Sequence, residues 1–422
     1  MSGRICITGA GAVCGAGLDV STIWEGIVAG RSEIKPISGW DATGWPVTSA
    51  CEVTDVDNRT LVEDRKLHKL ISRTDMFGLY AAGKAIQQAG LAAWRDKLEP
   101  EKVGTFNDRT GVFAGSGGAT YQSNYDFFPA LTAAGGSTEG FGREFSNSVN
   151  PMWLLKNLPN NVLCHVGIRH NFKGTNACIT NQCVGGIMAI VEAAAAIRAG
   201  EADRAVAVGH DAPVEPETVF NYHRLGLMSR EALLPFDSRR QGTIFGEGAA
   251  AVMLEKEPEA CSRQATVFGE FIAAGCAGEG AGIVDVRADG QGVSRAIDIA
   301  LAEAGLTADA VGMIVAHGNG TQGSDASEAE ALQRVFGTNL PPVTAFKWAF
   351  GHLIAASGVL DVVLALTALR NGIVPGIPVT TSPDPRLPRL PISTSHQVPR
   401  SNIALVLCRG FASMNVAVLV RA

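Results

Sequence analysis

Short apolar runs that stop at glycine, alternating with alanine-rich stretches of helical period, constrain the fold of this chain more than any other feature. Arg4-Ile5-Cys6-Ile7-Thr8 runs into Gly9, Val112-Phe113-Ala114 into Gly115 and on through Ser116-Gly117-Gly118, and Arg204-Ala205-Val206-Ala207-Val208 into Gly209. Ala249 to Leu254, Ala310 to Ala316 and Ile403 to Leu407 repeat the pattern in the second half, and helical patterns occupy residues 20–30, 184–199, 291–304 and 355–370. A run that is apolar on both faces needs cover on both sides, which helices returning between strands supply. The expectation is an α/β protein built on mostly parallel sheets.

A chain of 422 residues, 46% hydrophobic and 18% charged, exceeds the size at which one core keeps growing, so two similar lobes are expected. The charged, proline-bearing stretch from Glu255 to Arg263 is the candidate boundary, dividing residues 1–255 from 256–422. Residues 375–400 are proline-rich and aperiodic, which predicts a long surface connection. A net charge of -6 argues against bulk attraction to nucleic acid. The nine cysteines are scattered and never form CxxC, so neither a disulfide framework nor a zinc site is expected. The N-terminus lacks the basic and apolar blocks of a signal peptide, and Glu192 and Arg198 interrupt the apolar helical stretch 184–199. These features predict a cytoplasmic protein with no nucleic-acid or membrane partner and no bound metal.

Gly9, Gly11 and Gly15 suggest a dinucleotide loop, but the third glycine comes one residue late for that fingerprint. They are read instead as a tight strand-to-loop turn.

Three polar or glycine-rich segments carry the chemistry: Asn181-Gln182-Cys183-Val184-Gly185-Gly186, His317-Gly318-Asn319-Gly320-Thr321, and Lys347 followed by Gly351-His352. Cys183 stands where an alanine-rich helix begins, and the positive end of a helix favours a thiolate. Its rival, Cys178, has small neighbours but falls within the preceding strand, away from the helix terminus. His317 follows the apolar run Met313-Ile314-Val315-Ala316 and opens a glycine-rich loop that a ligand can approach. His352 precedes another helical stretch, where the dipole disfavours the imidazolium. Lys347 lies between Phe346 and Trp348, a setting that demands a partner, for which Asp325, Glu328 and Glu330 are the candidates. The block from Pro235 to Gly248 mixes charge with turn residues and reads as a structural ion-pair network.

The order and spacing of these segments resemble the β-ketoacyl-acyl-carrier-protein synthases, the elongating condensing enzymes of fatty acid and type II polyketide synthesis. Gly174 before Cys183 and Gly200 after it match the spacing around that family's nucleophile and favour Cys183 over Cys178. His317 to Thr321, with Gly323, Asp325 and Glu328, is similar to the family's HGTGT…GD..E motif, and Lys347…Gly351-His352 to its K….GH motif. The likeness extends to the closing Gly410-Phe411-Ala412-Ser413-Met414-Asn415. Asn181, Gln182 and Gly185, Asn319, and the pair Ala412-Ser413 depart from the family pattern.

The resemblance implies a thiolase-like fold, two pseudo-repeated halves in a layered α-β-α-β-α arrangement, with Cys183 in the first half and both histidines in the second. It implies Cys183 as nucleophile, amides of Cys183 and Phe411 as the oxyanion hole, and His317 and His352 as hydrogen-bond donors to a malonyl thioester. Lys347 would tune the field with Glu328 as partner and Asp325 in support, while Thr321 and Asn319 would contact pantetheine. The substrates would arrive on the 4'-phosphopantetheine of an acyl carrier protein, with no separate cofactor. The chain would be a homodimer or pair with a second ketosynthase-like subunit. Lys66, Lys69 and Arg73 are the candidate docking surface for the acidic carrier. Three other readings are a thiolase, for which Cys408 is the candidate second thiol, a non-catalytic subunit of the chain-length-factor type, and an initiating or decarboxylating variant, which would lack the thiol that Cys183 supplies.

Overall fold

The computed structural model describes residues 3–117 and 127–422; Gly118, the last glycine of the second strand pattern, lies outside the described residues. Ten strands form one hydrogen-bonded sheet. The first half contributes β1 (Ile5–Cys14), β2 (Thr110–Ser116), β3 (Asn176–Ile179), β4 (Arg204–Asp211) and β5 (Gly248–Lys256). The second half contributes β6 (Gly269–Gly278), β7 (Met313–Val315), β8 (Val343–Thr344), β9 (Ile403–Gly410) and β10 (Met414–Arg421). Within the first half the order is β3-β2-β4-β5-β1, and within the second it is β8-β7-β9-β10-β6, the same order in both. The two join where β1 pairs with β6, Ile5 opposite Phe271 and Ile7 opposite Gly269.

The expectation of mostly parallel sheets is corrected. In each half the first two pairings are parallel, but the third, the fourth and the join between halves are antiparallel. The closing strand of each half doubles back beside its predecessor and then lies against the opening strand, which a crossover helix cannot make parallel.

Among the helices around this sheet are α1 (Val20–Val28), α2 (Arg73–Gln88), α3 (Gly185–Arg198), α4 (Gln291–Ala304), α5 (Gln322–Phe336), α6 (Lys347–Phe350) and α7 (Ser357–Asn371). Helix α2 packs on β1, β5 and β4; α3 and α7 meet each other between the halves; α4 packs on β6 and β10 with α5 beside it. The layers are therefore α-β-α-β-α. Helix α7 is the centre of the core, with Val359, Leu360, Val362, Val363, Leu364 and Leu366 all buried. The stretch Ile354–Asn371 is apolar and long enough to cross a membrane, yet 89% of it is buried inside the protein, as a core helix requires.

The glycines near the N-terminus serve packing, which corrects the expected turn. Strand β1 continues through Gly9 and Gly11 to Cys14. A Cβ on Gly9 would lie 2.1 Å from the Ala85 carbonyl oxygen, and one on Gly11 would lie 2.1 Å from that of Ala81. Backbone-to-backbone contact with α2 is thus possible only without side chains at these two positions. Strand β7 is shorter than the sequence pattern suggests: Ala308–Ala310 form a 3-10 turn and pairing begins at Met313. Between α7 and β9, residues 373–402 hold neither helix nor strand, which matches the expected long connection.

Candidate active site

The thiol is set by an abrupt turn. After β3 ends at Ile179, Gln182 takes a left-handed φ of 45°, and a 3-10 turn Gln182–Val184 leads directly into α3. This places Cys183 at the start of the helix. A Cβ on Gly186 would come 2.2 Å from the carbonyl oxygen of Ala355, so the glycine lets the Cys183 segment touch the one that carries His352. Cys183 is buried, and desolvation pushes its thiol up to about 12; the Asp211 charge adds to the rise, and Lys347 opposes it. The expected stabilised thiolate is therefore corrected. Burial outweighs the helix terminus, and the resting group is a thiol.

The other two cysteines of interest are occupied elsewhere. Cys178 sits in β3 and its thiol donates to the Pro159 carbonyl (3.3 Å). Cys408, in β9, donates to the carbonyl oxygen of Cys183 itself (3.3 Å) and does not line the cavity that Cys183 does.

Both histidines line the same cavity as Cys183, together with Thr321, Asn319 and Phe411, a space of about 70 Å³. The rings of His317 and His352 stand edge to face with centroids 5.3 Å apart. The backbone N–H of Arg409 donates to Nδ1 of His317 (3.3 Å), and that of Ile354 to Nδ1 of His352 (3.2 Å). A nitrogen that accepts cannot also carry the proton, so both rings hold it on Nε2. Ser357 Oγ, 2.9 Å from Nδ1 of His352, itself accepts from the Leu353 N–H and reinforces that tautomer. Nε2 of His352 is buried and has no partner among the described residues. Burial, with the Lys347 charge behind it, holds both imidazoles well below their ordinary value, so they are neutral donors at pH 7.

Lys347 has a different partner from the one expected. Its ammonium donates to Asp361 (2.8 Å), a lone carboxylate in the apolar run of α7, and both side chains are fully buried. Burial opposes the charge, but Asp361 holds the ammonium above the usual lysine value. Glu328 instead accepts the backbone N–H groups of His317 (2.7 Å) and Gly318 (3.0 Å), tying the loop to α5. Glu330 is exposed. Asp325 accepts from Phe236 N (2.8 Å) and Gly320 N (3.2 Å), and burial raises its carboxyl to about 7. Asn319 Oδ1 accepts both the N–H and the hydroxyl of Thr321 (3.0 and 2.8 Å), so the two side chains face the cavity as one unit.

The candidate docking surface is reduced to two residues. Lys66, Lys69 and Arg73 are all exposed, but Arg73 is also held in an ion pair with Glu247 and donates to the Val53 carbonyl. Arg240 joins Asp384 (2.6 Å), and Arg239 joins Asp237 (2.8 Å), so the charged block is the ion-pair network expected. Among the described residues no cluster of histidine, cysteine and carboxylates is able to hold a metal ion.

Several site residues escaped the sequence reading. Asp361 has a signal in hindsight, a single acid inside Val359-Leu360-Asp361-Val362-Val363. Tyr222, whose ring lies 5.1 Å from that of Phe411 on the cavity wall, and Arg409, whose N–H sets the His317 tautomer, come from distant segments with no local signature.

The sequence model of the beta-ketoacyl synthase N-terminal domain matches residues 2–260, and that of the C-terminal domain matches residues 268–379. A 3-oxoacyl-[acyl-carrier-protein] synthase 2 from Coxiella burnetii is 29% identical over 391 residues, covering 90% of this chain and 89% of the relative. The tetracenomycin polyketide synthase ketoacyl synthase beta subunit of Streptomyces glaucescens is 30% identical, covering 99% and 98%. Among solved structures, the ishigamide ketosynthase/chain length factor superposes with a TM-score of 0.88 at 24% identity, over 100% of both chains. The likeness of fold is complete, and it is thiolase-like. Because the two domain models fall on either side of the link between β5 and β6 and together account for most of the sequence, the chain belongs to the beta-ketoacyl synthase family.

Proposed function

We propose that this chain is a β-ketoacyl-acyl-carrier-protein synthase that extends an acyl chain held on Cys183 by decarboxylative Claisen condensation with a malonyl thioester. The observation that carries the reading is the pair of neutral histidines whose Nδ1 atoms are occupied by backbone N–H groups, leaving two Nε2–H donors beside one thiol. On this reading residues 1–255 supply the nucleophile and residues 256–422 the histidines.

In the first half-reaction the Cys183 sulfur attacks the acyl thioester, the bond to the carrier's pantetheine sulfur breaks, and the thiol proton leaves with that sulfur. Amides of Cys183 and Phe411 would hold the tetrahedral oxyanion. In the second, the malonyl C–C bond breaks to release carbon dioxide, and the electron pair becomes an enolate whose oxygen accepts from His317 and His352. That carbanion attacks the acyl carbon, the C–S bond to Cys183 breaks, and the thiolate takes up a proton. Neutral rings suit this task, since each must donate without having first lost its proton to solvent. Burial, with Lys347 fixed by Asp361 beside them, keeps them neutral, and Glu328 and Asp325 hold the loop that presents His317. Thr321 and Asn319 are placed to meet the pantetheine arm. The thioester supplies the activation, so the reading invokes no metal or redox group; it places the protein in the cytoplasm with an acyl carrier protein as partner, docking near Lys66 and Lys69.

A second reading has support in the likeness to a beta subunit and in Ala412 and Ser413, which hold left-handed φ of 57° and 58° where the family motif has glycine. On that reading the chain is a chain-length-factor-like subunit of a heterodimer. Intact mass after incubation with acyl-loaded carrier separates the two. An acyl adduct lost in Cys183→Ala and kept in Cys178→Ala supports catalysis. Loss in Cys178→Ala alone would overturn the assignment of the nucleophile, and no adduct in the wild type, with a second synthase-like chain co-purifying, would favour the heterodimer partner.

A further inference from the structure

Strand β4 ends on a carboxylate that reaches from the first half to the second. Ala205 and Ala207 of β4 pack with α3, and Val206 and Val208 pack with α2 on the other face. Side chains alternate along a strand, so Gly209 and Asp211 share the face that α3 covers. A Cβ on Gly209 would come 2.6 Å from the Ala355 carbonyl oxygen, so the 3-10 turn Ile354–Ala356, which follows His352, lies directly against this end of β4. Asp211 accepts the N–H groups of Ala212 (2.9 Å) and of Ala355. A Cβ on Gly117 would lie 2.2 Å from Oδ2 of Asp211, so the chain leaving β2 also confines the carboxylate.

The turn that Asp211 meets is strained. Ile354 holds a left-handed φ of 45°, which a β-branched side chain adopts only when its surroundings impose it. The two N–H groups that flank this conformation have separate destinations. That of Ile354 donates to Nδ1 of His352 (3.2 Å), and the next, of Ala355, goes to Asp211. Ser357 Oγ accepts the Leu353 N–H (2.9 Å), so the second half anchors the start of the turn and the first half its middle. The turn leads straight into α7, and a carboxylate is favoured beside the free N–H groups at the start of a helix.

We propose that Asp211 is a positioning residue for the second half-reaction: from the first half it latches the Ile354 turn and so keeps the Ile354 N–H on Nδ1 of His352, which holds the ring's proton on Nε2. The proposal rests on the ketosynthase reading. Without the latch the left-handed Ile354 relaxes and Nδ1 loses its backbone donor. Ser357 Oγ, 2.9 Å away, then becomes an acceptor for a proton on Nδ1, and the ring divides between its two tautomers. Acyl transfer to Cys183 asks nothing of that tautomer, whereas stabilising the malonyl enolate requires it.

The test uses the full chain as wild type, Asp211→Leu and Asp211→Asn, with acyl-loaded and malonyl-loaded carrier protein, and thermal melting to show that each variant is folded. Asp211→Leu removes the acceptor, and carbon dioxide release should fall about tenfold or more. Acylation of Cys183 in the same variant should hold or rise, because the Asp211 charge that opposes the thiolate is gone. Asp211→Asn keeps an acceptor oxygen and should bring decarboxylation back to within about threefold of wild type. The tautomer is read directly from the imidazole 15N shifts of His352, assigned by their loss in His352→Gln: an unprotonated Nδ1 in the wild type, and two averaged nitrogens in Asp211→Leu. Should Asp211→Leu not fold, Asp211→Ala takes its place in every arm. An unchanged decarboxylation rate or an unchanged Nδ1 shift would overturn the proposal and leave the ketosynthase reading standing, as would equal loss of both half-reactions in a folded variant. A wild type that neither acylates nor decarboxylates would remove the ketosynthase reading, and the 15N shifts would still decide whether Asp211 sets the tautomer.

Discussion

The two halves of this sheet share one strand order and differ in how their strand ends are finished. In the second half the groups that hold the His317 loop are tied. Glu328 takes two backbone N–H groups, Asp325 takes two more, and Arg409 is held by Asn415, Glu279 and the Ser324 carbonyl. In the first half the corresponding region leaves Ser116 Oγ and Nε2 of His210 without a hydrogen-bond partner among the described residues, and Cys183 follows the left-handed Gln182 in its turn. The same topology thus yields a tied frame for the two histidines on one side and a less fully paired setting near Cys183 on the other. Condensation chemistry asks for that division, because the malonyl step repeats unchanged while the acyl chain varies.

The comparison breaks first at the Lys347–Asp361 pair. Asp361→Ala leaves a fully buried ammonium with no counter-charge, which destabilises the fold by about 3–5 kcal/mol, read by urea denaturation. A loss under 1 kcal/mol would mean that the frame does not depend on the pair. Leu364→Ala, in the layer shared by both halves, is expected to cost about 2–5 kcal/mol through its cavity alone and gives the reference for packing without charge.

Smaller effects separate positioning from chemistry. Glu328→Gln replaces one acceptor oxygen with an amide that cannot take an N–H, misplacing the His317 loop. Condensation should slow about tenfold while acyl loading of Cys183 stays at the wild-type rate. Equal loss of both would place Glu328 in folding instead. Smaller still is the pH response of the first half. With the Cys183 thiol pushed up to about 12, the thiolate fraction rises with pH, so alkylation at this cysteine should increase about tenfold per pH unit from 7 to 10. A plateau near pH 8 would show that the helix terminus wins after all.

The residues that sequence made legible are those with a local signature. Helices α3, α4 and α7 follow from apolar period, and the chemical groups Cys183, His317 and His352 from their glycine neighbours and motif spacing. Lys347 was legible as a buried cation, but its partner was not. Asp361 is fourteen positions away in another helix, and only the packing of α6 against α7 decides between it and the acids of α5. Gly9 and Gly11 were misread for a related reason. Their role is set by the approach of α2, a contact across more than seventy residues, and a glycine near a strand reads the same whether it turns the chain or admits a neighbour. The thiol's protonation went the other way from the local argument because burial is a property of the whole fold.

The central claim is that two neutral Nε2–H donors from one half serve a thiol from the other. Its most direct test is carbon dioxide release from malonyl-loaded carrier in His352→Ala. Loading of an acyl chain on Cys183 should persist, while decarboxylation should fall about a hundredfold or more, as the loss of one oxyanion donor requires. Decarboxylation and condensation at the wild-type rate in that variant would contradict the account.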